Sequence, residues 1–122
     1  MKNQIFFIPH LLFFLILAGC ANQDSRLYQW GHYENQIYQN YSNPGKFSVA
    51  DQIIQLEQDI EKARAENKSV PPGYFAHLGY LYFQNNETDK ALESLQTEKT
   101  LFPESAVYLD RLASQIKKER NP

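Results

Sequence analysis

GYFAHLGYLYFQNNETDKALESLQTEKTLFP, residues Gly73–Pro103, is the stretch that decides the fold. Its apolar positions recur at three and four, the period of a helix, and no six residues alternate with period two. The spacing predicts one helix from about Gly73 to Phe83, ended at Asn85-Asn86. A second helix follows to about Phe102, capped by Thr88 or Asn86 and stopped by Pro103. Gly79 and Ala91 are small where the two helices would cross, and Phe75, Leu78, Tyr82 and Leu95 are large enough to fill the space around that crossing. Thirty-four residues beyond Phe75, Leu78, Gly79 and Tyr82 stand Leu109, Leu112, Ala113 and Ile116. The segment from Glu104 to Lys118 therefore reads as a repetition of the first helix. Lys117, Lys118 and Arg120 at its end favour the negative pole of the macrodipole.

These landmarks resemble the tetratricopeptide repeat, with its large residue, Leu, Gly and Tyr on one helix, Ala on the next and a closing Pro. The resemblance covers residues 70–117. One position departs: Glu98 stands where that repeat usually has Ala, so either the fifth helix is displaced or Glu98 turns outward. Thirty-four residues before Phe75 the frame fails at Pro44 and Gly45. Stacked repeats bury their apolar faces only against neighbours, so the N-terminal part must supply the missing neighbour. In such arrays the concave face is lined by the outward positions of first helices, which here are Ala76, Tyr80, Phe83 and Gln84. Left half exposed, Tyr80 and Phe83 make an apolar groove for a peptide; covered by the N-terminal helices, they are core.

Working toward the N-terminus, Ser48 with Asp51 three residues on is a capping-box arrangement. Val49, Ile53, Leu56, Ile60 and Ala63 then step by four and three, an apolar seam with a wet back. Before the Ser42-Asn43-Pro44-Gly45 breaker, Trp30, Tyr33, Ile37 and Tyr41 fall on one helical face, widened by Tyr38. That face is read as packing or capping material near Val49–Ala63, with Trp30 and Tyr33 as the other partner-binding candidates beside Tyr80 and Phe83.

The first 25 residues are of another kind. Lys2 supplies one charge, and the 13 residues Ile5–Leu17 form an apolar run of about 20 Å as a helix, too short for a hydrocarbon core of roughly 30 Å. Leu17-Ala18-Gly19-Cys20 follows, the lipobox pattern of bacterial lipoproteins. Cleavage between Gly19 and Cys20, acylation of the Cys20 thiol and then of its freed amine anchor a chain, because each buried CH₂ contributes about 0.8 kcal/mol. We expect a signal peptide over 1–19, an acylated cysteine and tether over 20–25, a helical domain over 26–118 and a tail over 119–122. Ala21 in place of Asp favours sorting to the outer membrane, facing the periplasm, with the cell surface as the other exposure.

The balance of 12 Lys and Arg against 14 Asp and Glu offers no basic face for nucleic acid. One cysteine excludes an internal disulfide. His32 and His77 are read as surface residues far apart in sequence; no Gly-x-Ser-x-Gly turn or Gly-rich phosphate loop occurs, and the carboxylates are spread along helices. No catalytic residue, metal or cofactor is expected beyond the covalent lipid on Cys20.

Tyr28, Trp30, Gly31, Tyr33 and Glu34, shortly after the lipobox, resemble the Tyr-x-Trp-Gly-x-Tyr-Glu signature of a domain-of-unknown-function family of bacterial lipoproteins. In that family the signature precedes a tetratricopeptide-like region, and the gene adjoins lipoproteins, one resembling the curli secretion channel. The resemblance implies an envelope complex with lipoproteins of the same operon. The expectation is an all-α, tetratricopeptide-like array of about five helices behind a signal peptide. Its expected role is an outer-membrane interaction subunit. The alternatives are a structural lipoprotein without a peptide groove and, less favoured, a small periplasmic enzyme.

Overall fold

The computed structural model describes residues 26–120, an all-α fold. Its helices are α1 (Tyr33–Ser42), α2 (Val49–Ala65), α3 (Tyr74–Gln84), α4 (Thr88–Leu101) and α5 (Ala106–Arg120), with a 3₁₀ turn at Pro103–Ser105. No strand forms among the described residues; the extended segment before α1 makes one isolated parallel bridge, Tyr28 with Ser69. The leader, Gly19, Cys20 and the tether lie outside the described residues.

The α3–α4 hairpin is built on the small pair. A Cβ at Gly79 would lie 3.0 Å from the Ala91 carbonyl oxygen and 3.2 Å from Leu95 Cδ2, so any larger residue would push the helices apart. Around the crossing, Leu78, Leu81, Tyr82, Ala91 and Leu95 are buried, while Phe75 is half-buried. Leu109 and Ile116 of α5 join the same core, with Leu112 and Ala113 packed against it. Exposed ion pairs, Lys99 with Asp110 at 2.6 Å and Arg120 with Asp89 at 2.8 Å, add little across α4 and α5, about 0.2–1 kcal/mol each.

The helix ends follow local chemistry with two corrections. At the start of α2, the Asp51 N–H donates to Ser48 Oγ at 3.1 Å, as the capping box predicts. Asn86 adopts φ +62° and closes α3, its N–H bonding to Phe83 O and that of Glu87 to Tyr82 O. Asn86 is therefore the stop of α3 and not the cap of α4, whose N-cap is Glu87 without a side-chain bond.

The second correction concerns Glu98, which does not turn outward. It is 2 % exposed, and its carboxylate accepts from the Gly73 N–H at 2.5 Å and the Phe75 N–H at 3.0 Å. Gly73, left-handed at φ +88°, has no side chain to cap α3. Glu98 reaches across from α4 to do it, and the dipole of α3 stabilises its charge.

Candidate functional site

The segment Leu27–Ser42 docks by a route the sequence conceals. Gly31 takes φ +50°, and a Cβ there would overlap the Asp59 carboxylate at 2.2 Å. Only glycine lets the backbone come so near. Asp59, buried on α2, accepts from the His32 N–H at 2.5 Å and meets His32 Nδ1 at 3.0 Å. Tyr74 OH donates to Leu56 O at 3.1 Å, with Asp59 Oδ2 as a longer contact at 3.4 Å. Burial, and then the charge of Asp59, push the Tyr74 phenol well above its usual range. The turn at Gly31 delays α1 until Tyr33, so Trp30 precedes the helix and does not share its face.

The expected apolar face of that segment is corrected in consequence. Tyr41 is 86 % exposed and Tyr38 is exposed too. The buried residue of α1 is Gln36, whose Nε2 donates to Gln52 O and Gln55 Oε1, both at 3.1 Å. Asn40 Nδ2 donates to Gln52 Oε1 at 2.9 Å. So α2 keeps an exposed back at Asp51, Gln58, Glu61 and Lys62, but beside its apolar seam Gln52 and Asp59 are buried. The signal was present as amides four apart, Gln36 and Asn40, opposite Gln52, Gln55 and Asp59. Amides and acids read as solvated until their partners are known.

Tyr33 is the contact between this segment and α3. Its ring lies 5.2 Å from that of Tyr74 and meets the edge of His77 at 5.6 Å, while Trp30 stacks on its outer side at 6.3 Å. Burial, and then Glu98, raise the Tyr33 phenol pKa. His77 is not the surface residue expected. It is half-buried, burial lowers its pKa, and its Nε2 is enclosed without a hydrogen-bond partner.

The four partner-binding candidates separate. Tyr33 is half-buried packing and Phe83 packs against the core. Trp30 remains 38 % exposed and Tyr80 49 % exposed. One turn of α3 leads from His77 to Tyr80, whose hydroxyl accepts from Gln84 Nε2 at 2.8 Å. Trp30, Tyr33 and His77 form a run of rings that reaches solvent at Trp30, and Tyr80 is exposed separately on α3.

Two adjoining clefts occupy another side, sharing Ile60, Phe75, Thr97 and Arg64. The first, about 430 Å³, also holds Glu57, Glu61 and Glu93 with Lys90. There Tyr82 OH donates to Glu57 at 2.5 Å, and Lys90 Nζ lies 5.1 Å from the Tyr82 ring centre. Burial and the Glu57 bond push the Tyr82 phenol well above its usual range. The second, about 450 Å³, is walled by Leu27, Tyr28, Val70, Leu101 and Phe102, with Lys68 and Ser69. Neither cleft is legible in the sequence, because each needs α2, α3 and α4 together. Among the described residues no group of three or more His, Cys, Asp or Glu is placed to hold a metal ion. No described helix is long and apolar enough to cross a membrane.

A family model, Domain of unknown function (DUF4810), matches residues 27–112, and the chain belongs to that family. No curated protein and no solved structure matches. The match begins at Leu27 and includes both Gly31 and its partner Asp59.

Proposed function

We propose that this family member is an interaction subunit of a bacterial cell-envelope complex, held by acylation of Cys20 at the outer membrane and facing the periplasm. The lipobox Leu17–Cys20 supports the anchor. We read α3, α4 and α5 as a tetratricopeptide-like hairpin and a half, supported by the Gly79–Ala91 crossing and the thirty-four-residue correspondence. Lipoproteins of the same operon, including one resembling the curli secretion channel, are the partners proposed.

One observation carries the interaction role: Trp30, stacked on Tyr33, and Tyr80 on α3 both keep exposed ring surface. Exposed aromatics on a rigid support are the side chains that dominate protein interfaces. The test is crosslinking in living cells, purification of the tagged chain and mass spectrometry, with Cys20→Ser beside it to separate membrane proximity from contact. We expect one or two lipoproteins with the natural chain. Tyr80→Ala should lower their recovery at least about tenfold while the thermal midpoint stays within about 0.5 kcal/mol of stability. Equal recovery with Tyr80→Ala and loss only with Trp30→Ala would place the contact on the N-terminal segment alone. Equal recovery with both would end this reading.

A further inference from the structure

We propose that the second cleft is a binding site for one fatty acyl chain carrying an anionic head group. It is bounded by five parts of the chain: the extended Leu27–Tyr28, Ile60 to Arg64 of α2, Lys68–Val70, Phe75 of α3 and the end of α4. Its volume of about 450 Å³ falls within the range of small-molecule sites, which are mostly apolar with a few placed polar groups. Leu27 at 73 % and Leu101 at 52 % exposure leave apolar surface open at the wall.

The polar inventory selects the ligand. Among the described residues no carboxylate lines this cleft, although Glu57, Glu61 and Glu93 line the one beside it. Its charged residues are Arg64 and Lys68. Arg64 pairs with Glu61 at 2.6 Å and Lys68 with Glu66 at 3.4 Å. Pairs of this kind near solvent are weak, so an anionic head can compete for either cation. The rest of the wall has little to offer a peptide backbone. The Ser69 carbonyl already accepts from the Gln29 N–H at 2.8 Å, and the Thr97 hydroxyl donates to Glu93 O at 3.0 Å. A hydrocarbon chain asks for no hydrogen bonds and loses none on entering.

This chemistry stands apart from the partner reading above. If Cys20 is acylated as proposed there, the six residues to Arg26 span at most about 20 Å, which keeps the cleft near a bilayer. The acyl chain then has two sources, a free fatty acid or an anionic phospholipid.

The test uses the full-length chain in phosphatidylcholine nanodiscs with two photoactivatable diazirine probes, a palmitate analogue and a phosphatidylglycerol. Mass spectrometry locates the attachment. We expect label on peptides containing Phe75, Leu101 or Phe102, falling at least tenfold in Leu101→Asp and in Arg64→Glu with Lys68→Glu, at unchanged helical content. Label from palmitate alone identifies a free acid as the source; label from phosphatidylglycerol identifies the bilayer. Label confined to other peptides, or undiminished in both variants, overturns the proposal.

Discussion

The α3–α4 hairpin and the N-terminal segment from Leu27 to Ser42 are attached to the same molecule by different physics. The hairpin closes on Gly79 and Ala91 and is filled by Leu78, Leu81 and Leu95, so its cohesion is hydrophobic. The N-terminal segment buries Gln36, rests on Asp59 and touches α3 through the ring of Tyr33. Yet both use one device. A buried carboxylate from a neighbouring helix binds backbone N–H at a helix start that lacks a side-chain cap bond: Asp59 takes that of His32 before α1, and Glu98 those of Gly73 and Phe75 at α3. Long-range caps of this kind couple the entry of one helix to the register of the next. They also make the two regions separable by mutation.

Leu95→Ala should have the largest effect. It removes a fully buried side chain from the hairpin at a cost of about 2–5 kcal/mol, which is read as a lower thermal midpoint by circular dichroism. All helices should melt together, the N-terminal segment included. A surviving N-terminal segment would break the comparison, since it would then be stable without the hairpin.

Glu98→Ala comes next, at about 1.5–3 kcal/mol, because the Gly73 and Phe75 N–H groups lose a charged acceptor. Amide exchange should accelerate first in the opening turn of α3. Glu98→Gln should recover part of the loss, since its amide oxygen can still accept.

Asp59→Ala sharpens the contrast most directly. It should cost about 1–3 kcal/mol, and the loss should be local. Amides of His32 and Gln36 exchange faster, and the fluorescence of Trp30, the single tryptophan, shifts to the red, while protection across Gly79 to Leu95 persists. Equal deprotection of both regions would mean that the two attachments are one cooperative unit.

The smallest effect concerns His77. Burial holds its folded pKa below the unfolded value of 6.5. Below pH 6.5 the unfolded chain takes up a proton that the folded chain refuses, so stability falls as pH drops toward the folded pKa. Above pH 6.5 this contribution is complete and flat. The midpoint of His77→Gln should therefore decline less between pH 7 and 5 than that of the natural chain. Parallel declines would show that His77 is protonated freely in the fold.

Much of the helical part was legible because helices declare themselves by periodicity and by punctuation. The seam Ile53, Leu56, Ile60 and Ala63 packs inward, Ser48 and Asp51 cap as their spacing predicts, and Pro103 ends α4. The candidate site was legible only in part. Tyr80 is exposed as a groove residue would be, but Phe83 is packed and Tyr33 serves as a bridge between segments. Trp30, Tyr33, Ile37 and Tyr41 looked like one face only while a helix was assumed to run through Gly31.

The sequence by itself determined the all-α class, the approximate helix positions and the small-residue crossing, since these depend on spacings of three and four along the chain. Tertiary structure alone decided the fate of the polar residues. Asp59, Glu98 and Gln36 carry no mark of burial in the chain, because a polar side chain is stable inside only when distant partners meet its hydrogen bonds. The second cleft is decided in the same way. Leu27, Val70, Phe75 and Leu101 are ordinary apolar residues until five segments bring them round one space.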